Sequence, residues 1–244
     1  MKYKVTISYD GYSFAGWQKQ NNTRTAQGCI EDVIKQITAE DITIIGSGRT
    51  DAGVHALGQV FHFESNKNIN TQEWQKAFNA LLPQDIFVID VKVVSDDFHA
   101  RYDVKEKTYH YLINIGEYSP LNRNYQLQFN KPLNIDLMQE AAIFLKGRHD
   151  FTSFNANSLT ETPNQVRTIY DINISQQNDL VIISLTGDGF LRYMIRMIVA
   201  TLIKVGEEKI STINVKEMLE LKSKQACNFN VAACGLYLVS VKYD

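Results

Sequence analysis

The sequence lacks the features that mark several classes of protein. It has only three cysteines, Cys29, Cys227 and Cys234, which are odd in number and show no CxxC spacing. Neither a disulfide framework nor a zinc site is therefore expected, and reduced thiols fit best. No apolar run approaches the roughly 20 residues that cross a bilayer. We therefore expect a cytoplasmic protein that is neither exported nor embedded in a membrane.

The chain also lacks an excess of positive charge. Its net charge is −2 over 244 residues, whereas proteins that bind nucleic acid usually carry a basic excess. Composition alone thus gives no indication of an RNA or DNA partner, and any such site must be a local patch. Hydrophobic residues make up 44% of the chain, which is enough to bury the core of one large domain or two small ones.

Hydrophobic periodicity predicts a mixture of strands and helices in both halves. In the first half it predicts a strand over 3–9, a helix over 30–37, short strands over 42–45 and 60–63, a helix over 74–81 and a strand over 86–94. In the second half it predicts a strand over 109–115, a helix over 137–145, a hairpin of 169–174 with 181–185, a long helix over 193–205, a short one over 215–221 and a strand over 236–243. This order indicates an α+β fold with helices against an antiparallel sheet.

The two halves are expected to form similar subdomains, residues 1–103 and 104–244. Residues 98–106 are polar and lack periodicity, which is typical of a junction. No low-complexity or linker-like segment separates the halves. We therefore expect them to share one continuous sheet or a tight interface.

The segment from Gly46 to Gly58 is rich in residues that can carry chemistry. It has four glycines in thirteen residues, and Arg49 and Asp51 set opposite charges two residues apart. Glycines permit unusual backbone angles and the close approach of a ligand. A glycine-rich connection with solvated charges is the alternative. A phosphate-binding P-loop is excluded because no Gly-Lys-Ser/Thr ends the segment, and His55 with His62 makes no convincing metal pair without a third ligand.

Further motifs are spread in a fixed order over nearly the whole chain. They are Tyr9-Asp-Gly-Tyr-Ser-Phe-Ala-Gly-Trp-Gln18, Gly48-Arg-Thr-Asp-Ala-Gly-Val-His55, Asp97-Phe-His-Ala-Arg-Tyr102, Lys107-Thr-Tyr-His-Tyr111, His149-Asp-Phe-Thr-Ser-Phe154, Phe190-Leu-Arg-Tyr-Met-Ile-Arg196 and Gly235-Leu-Tyr-Leu-Val239. Through these blocks the sequence resembles the tRNA pseudouridine synthases of the A type, which modify uridines of the anticodon arm. The resemblance implies two pseudo-symmetric α+β subdomains that share a central antiparallel sheet flanked by helices, with the active-site cleft between them.

The resemblance also implies which residues are catalytic. Asp51 matches the family's catalytic aspartate, whose carboxylate can add to C1′ of the ribose or remove the C2′ proton. Both routes need an ionised carboxylate, and Arg196 is implied as the cation that holds Asp51 charged. On sequence alone the choice is open, because Arg192 lies one helical turn away on the same face. Tyr109, which alternation places on one strand face with Tyr111, is implied to be catalytic and to stack on the target uracil.

Other implied contacts have ordinary alternatives. Leu236 is implied to cover the opposite face of the uracil, but it could equally be a core residue of the last strand. Arg49 is implied to help displace the base from the stem, and its alternative is a salt bridge. Arg192 could contact a phosphate or be a surface charge. A further set of basic residues could follow phosphates or be solvated: Arg24, Arg101, Lys105, Lys107 and Arg148.

The implied function is that of a tRNA pseudouridine(38–40) synthase, an isomerase acting on uridines at positions 38, 39 and 40 of the anticodon stem-loop. It is expected to need no metal and no organic cofactor, and to work as a homodimer. One alternative is a catalytically inactive tRNA-binding module of the same fold. Another is an aspartate-nucleophile hydrolase, but no second carboxylate or histidine is clearly paired with Asp51 to activate water.

Overall fold

The alternating and helical patterns of the sequence form ten strands and five α-helices in this computed structural model, which describes all residues from 1 to 244. In chain order they are β1 Lys2–Tyr9, α1 Ala26–Thr38, β2 Ile45–Gly46, β3 His55–Glu64, α2 Thr71–Leu81, β4 Ile86–Val94, β5 Glu106–Asn114, β6 Leu127–Gln128, α3 Ile135–Ile143, β7 Gly147–Asp150, β8 Val166–Gln177, β9 Leu180–Gly187, α4 Met194–Gly206, α5 Thr212–Leu221 and β10 Leu236–Lys242. Short 3-10 turns occur at Thr152–Phe154 and Ala233–Gly235.

The chain divides into two compact units, residues 1–105 with 237–244 and residues 106–236. The domain prediction of 1–103 and 104–244 thus differs in its C-terminal strand, which groups with the first unit. A strand can join a sheet far from its place in the sequence, because pairing depends on register and not on sequence distance. The mixed α+β fold predicted from periodicity is confirmed.

The sheet of the first unit has the strand order β4–β1–β3–β10, with β2 on β3. β1 is antiparallel to both of its neighbours, whereas β10 runs parallel to β3. The helix α1 is capped by Thr25, whose side chain accepts a hydrogen bond from the backbone N–H of Gly28. The helix α2 begins with a capping box formed by Asn70 and Glu73 and packs on β4.

An aromatic cluster fills the core between α2 and the sheet. The rings of Tyr3 and Phe63 stack at 5.2 Å, and those of Trp74 and Phe78 at 5.4 Å. All four side chains are almost completely buried. Alternation along β1 and the helical spacing of α2 therefore direct their large apolar side chains into one core.

The second unit has its own antiparallel sheet with the order β5–β9–β8–β7. The short β6 pairs with the end of β5 in parallel. The helix α3 packs on β8 and against α4 and α5. Most side chains of α4 are buried, as its nearly continuous apolar sequence requires. No helix of either unit is long and apolar enough to cross a membrane.

Several boundaries predicted from periodicity were wrong. The strand predicted over 42–45 is reduced to Ile45–Gly46, and β3 begins at His55 rather than at Val60. Eight of the ten residues of β3 are buried, so both of its faces are covered and the alternation that marks a half-exposed strand is absent. The short strands β6 and β7 were missed, because two to four residues are too few to show a period.

Candidate active site

Asp51 lies in a tight turn between β2 and β3. The backbone N–H of Val54 donates to the carbonyl oxygen of Asp51 at 3.2 Å. Gly53, the third residue of this turn, has a φ of +77°, as in a type II turn, where that position favours glycine. Asp51 itself is half-buried. The Asp-Ala-Gly-Val sequence thus folds locally into a turn that begins at the carboxylate.

The residue before Asp51 anchors the turn in the core. The hydroxyl of Thr50 lies 2.8 Å from that of Tyr9, both side chains are buried, and the backbone N–H of Trp17 donates to the Thr50 carbonyl at 3.1 Å. Burial raises the pKa of Tyr9 to about 12, so its hydroxyl stays protonated at neutral pH. Successive side chains point in different directions here, and Arg49 is exposed.

Two glycines of the first motif let the chain pass close to this turn. Gly16 has a φ of +98°, and a Cβ at this position would lie 2.7 Å from the Thr50 carbonyl oxygen and 3.2 Å from the carbonyl carbon of Asp51. A Cβ at Gly11 would collide with the carbonyl of Val54. The motif from Tyr9 to Gln18 therefore forms the wall against which the turn is built.

Arg49 does not form the salt bridge that was its ordinary alternative. Its Nε–H donates to the side-chain oxygen of Gln18 at 3.1 Å, and no carboxylate lies within salt-bridge distance of its guanidinium. Arg49 and Asp51 thus lie on the same loop, and an uncharged amide is the hydrogen-bond acceptor of Arg49.

Tyr109 lies in the middle of β5 in the second unit, opposite Leu185 of β9. It is buried, and the ring of Phe190 contacts it edge-on at a centroid distance of 5.4 Å. Tyr111 is also buried, and its hydroxyl donates to the carbonyl of Ala232 at 2.7 Å. Burial raises the pKa of Tyr111 above its usual value. Edge-on packing of the kind seen between Phe190 and Tyr109 is a common arrangement of two aromatic rings.

Arg196 lies in the first turn of α4 and is half-buried. Its Nε–H donates to the carbonyl of Val231 at 2.8 Å, and its guanidinium carbon is 4.6 Å from the ring centroid of Tyr193. A cation in the first turn is unfavourable with respect to the helix dipole, which attracts negative charge there. This placement therefore creates a positive region at the beginning of α4.

The expectation that Arg192 shares a helix face with Arg196 was wrong. Helix α4 begins only at Met194, after Tyr193, which has a φ of +62° and provides no side-chain cap. The two arginines instead both stack on the ring of Tyr193, with Arg192 at 5.1 Å. A left-handed backbone is costly for a residue other than glycine and points to a local constraint. Sequence reasoning missed this role of Tyr193, because no residue pattern marks such a start.

Leu236 is buried and follows the 3-10 turn Ala233–Gly235. That turn approaches β5 closely, since a Cβ at Gly235 would lie 2.6 Å from the carbonyl oxygen of Leu112. The burial of Leu236 agrees with a core leucine as well as with a contact to a base. Its implied role stays a prediction.

Two of the basic residues considered as phosphate contacts are engaged in ion pairs. Arg24 forms a pair with Asp85 at 2.7 Å, and Lys105 pairs with Asp244 at 2.9 Å. For Arg101, Lys107 and Arg148 the phosphate role stays a prediction.

His55 and His62 lie seven residues apart on β3 and so face opposite sides of the sheet. No group of three or more His, Cys, Asp or Glu is placed to hold a metal ion.

A sequence model of the family described as tRNA pseudouridine synthase matches residues 5–103 and 141–244. Proteins named tRNA pseudouridine synthase A from Clostridium acetobutylicum and Streptococcus agalactiae are 43% and 42% identical, covering 98% and 100% of this chain and 98% and 95% of their own. One named tRNA pseudouridine synthase A 2 from Bacillus cereus is 43% identical over 99% of both chains.

Among solved structures, a chain of a Cbf5-Nop10-Gar1 complex aligns with 82% of this chain and 54% of its own, at a TM-score of 0.35 and 11% identity. The matches to the sequence family and to its members confirm the resemblance inferred from the collinear motifs. They extend over nearly the whole chain and thus include both of the segments that hold Asp51 and Arg196.

Proposed function

The chain belongs to the tRNA pseudouridine synthase family, and we propose that it isomerises uridine to pseudouridine at positions 38, 39 and 40 of the tRNA anticodon stem-loop. The observation that carries this proposal is the turn at Asp51. Asp51 follows the exposed Arg49 by two residues on a loop that is anchored in the core by Thr50 and Tyr9. The relatives' names support tRNA as the substrate.

The reaction exchanges one glycosidic bond for another. The bond from N1 of uracil to C1′ breaks, the base turns, C5 bonds to C1′, and the C5 proton is lost while N1 gains one. We propose that the Asp51 carboxylate assists either by adding to C1′ or by removing the C2′ proton. The resemblance supports Arg196 as the cation that keeps Asp51 ionised. The hydrogen bond of Arg196 to Val231 and its stacking on Tyr193 fit it for holding one orientation.

The detached base must be held while it turns. We assign this contact to the ring of Tyr109, because stacking accepts any orientation of a base in its own plane, and we assign the opposite face to Leu236. Arg49 is proposed to fill the space that the target base leaves in the stem, since flipping costs a few kcal/mol and a planar cation can partly replace the lost stacking. Its exposure and its freedom from a salt bridge support this role.

The protein is further proposed to act in the cytoplasm as a homodimer without a metal or organic cofactor. An isomerisation transfers no electrons to an external acceptor, so the carboxylate chemistry is sufficient. A chain with a net charge of −2 offers little positive surface to an L-shaped tRNA, and a second subunit would extend it. Sedimentation that shows a fully active monomer at micromolar concentration would contradict the dimer.

The test of function replaces Asp51 by Asn, which keeps the size of the side chain and removes its charge. Tritium release from C5-labelled uridine in tRNA should be abolished under single-turnover conditions, while the Kd for the same tRNA in filter binding stays within a small factor. Asp32→Asn, on the exposed face of α1, is the matched control and should release tritium at the parental rate. Parental release by Asp51→Asn would refute the assignment. An unmutated protein that binds tRNA and never releases tritium would instead be the inactive binding module.

A further inference from the structure

A continuous row of hydrogen bonds leads from Arg49 into the interior of the first unit. The Nε–H of Arg49 donates to Oε1 of Gln18 at 3.1 Å, Nε2 of Gln18 donates to Oε1 of Gln27 at 2.7 Å, and Nε2 of Gln27 donates to Oε1 of Glu31 at 2.8 Å. Every donor in this row points toward the Glu31 carboxylate. We call these four residues the amide relay.

Backbone groups fix the direction of the relay. The Lys19 N–H, which can only donate, bonds to Oε1 of Gln27 at 3.1 Å, and the Ile44 carbonyl, which can only accept, receives Nε2 of Gln27 at 3.3 Å. The Gln27 amide therefore cannot turn over without opposing like groups at both ends. Because Gln18 must present its Nε2 to Gln27, its oxygen is left to face Arg49.

The inner end of the relay is buried and fully bonded. Gln27 and Glu31 lie one turn apart on α1, with 4% and 7% of their surface exposed. Oε1 of Glu31 also accepts from the N–H of Ile44 at 3.2 Å, and Oε2 pairs with Nζ of Lys19 at 2.9 Å. A satisfied network at low dielectric polarises its members and holds them rigid. The outer end of this network is Arg49, which is itself exposed.

We propose that Gln27 and Glu31 are positioning residues for the isomerisation, which act on Arg49 through the Gln18 amide. With its Nε held, the planar guanidinium keeps one direction, and its terminal nitrogens face the RNA when the target base leaves the stem. The inference rests on the proposed role of Arg49. It assigns a function in the reaction to two buried residues of α1 that lie outside the Asp51 turn.

The activity test is a double-mutant cycle between two residues that do not touch. Gln27→Met removes the relay at similar side-chain volume and should slow single-turnover tritium release roughly tenfold, as expected for the loss of one hydrogen bond to a charged group. In an Arg49→Ala background the same change should have no further effect. Ile34→Val, in the core of the same helix, is the control and should lower the Tm without slowing release. Equal slowing by Gln27→Met in both backgrounds would mean a purely structural network and would overturn the proposal.

A second measurement does not depend on turnover. The Nε–H signal of Arg49 in ¹⁵N-labelled protein is identified by its loss in Arg49→Lys, and hydrogen exchange at this group should accelerate in Gln27→Met. Gln18→Met, at the half-exposed end of the relay, should accelerate it as well and keeps the test open should Gln27→Met not fold. Unchanged exchange in these variants would overturn the inference. A parent protein that shows the relay by exchange but releases no tritium would refute the proposed function instead.

Discussion

Replacing Gly16 by Ala should disturb the Asp51 turn without touching the carboxylate. The new Cβ would stand 2.7 Å from the Thr50 carbonyl oxygen and 3.2 Å from the carbonyl carbon of Asp51. Both are backbone atoms of an anchored turn and cannot rotate away as a flexible side chain could. Relief therefore requires the turn itself to move by up to about 0.8 Å, given that nonbonded heavy atoms prefer separations of about 3.5 Å.

The expected loss in the free energy of unfolding of Gly16→Ala has two parts, which can be calculated separately. A φ of +98° is a conformation that L-residues rarely adopt, and left-handed strain of this kind costs about 1–2 kcal/mol. Forcing a methyl group into a packed site adds about 1–3 kcal/mol. We expect the free energy of unfolding to fall by about 3 kcal/mol in total. Because a misplacement of about 1 Å can cost about a hundredfold in rate, turnover should fall by at least tenfold.

Urea unfolding and single-turnover tritium release measure the two effects. Gly147→Ala is the matched control, because Gly147 has a similar φ of +102° but its nearest neighbour, Nε2 of His149, is 3.5 Å from the added Cβ. This control should lose about 1–2 kcal/mol from strain alone and keep the parental rate. If Gly16→Ala is destabilised no more than Gly147→Ala and releases tritium at the parental rate, the contact with the turn does not position Asp51.

Tyr193→Gly removes the ring that Arg196 stacks on and relieves the strain of a φ of +62°. Turnover should therefore slow while the Tm holds or rises, and Tyr193→Phe, which keeps a ring, should restore the rate. Equal turnover rates in the two variants would contradict this. Tyr109→Phe should keep most single-turnover activity and Tyr109→Ala much less, whereas equal losses would mean that the hydroxyl takes part. Burial lowers the pKa of His62 from 6.5 to about 4. Between these two pH values the unfolded chain binds more protons than the folded one, so the free energy of unfolding should fall from pH 6.5 toward pH 4. Urea unfolding that gives the same stability for the parent and His62→Gln across this range would refute the prediction.

The parts of the fold that follow a simple period could be predicted from the sequence. β1 alternates buried and half-buried residues because it has one covered face, and its predicted bounds of 3–9 differ by one residue from Lys2–Tyr9. Helix α2 was predicted over 74–81 and begins earlier, at Thr71. Its first turn carries no apolar residue, so the hydrophobic pattern begins only after the Asn70 cap.

The start of α4 shows what sequence patterns miss. A helix usually begins after Ser, Thr, Asp or Asn, whose side chain accepts a backbone hydrogen bond. Here the capping position is held by Tyr193 in a left-handed conformation, which local propensity disfavours and only the surrounding structure can impose. Arg192 was placed on the helix for that reason, and the shared contact with the Tyr193 ring could not be foreseen.

Some residues of the candidate site could likewise be predicted from the sequence, and others could not. Asp51 and Arg49 could be named from their motif, since a glycine-rich loop with opposite charges is visible in the sequence. The amide relay could not be, because its members are an unremarkable set of polar residues until α1 packs beside residues 17–19 and 44. Pairing over such distances depends on tertiary register, which composition and spacing do not encode locally.

Thr50 connects the core of the first unit to its chemistry. Its buried hydroxyl is bonded to Tyr9, 41 residues earlier, and its carbonyl accepts from Trp17, so the backbone at this residue is held at two points. The residues on either side of it are less buried than Thr50 itself. Arg49 and Asp51 are accordingly exposed and half-buried. The position of the two charged residues is thus set by the uncharged residue between them, and the aromatic core extends its rigidity to the carboxylate.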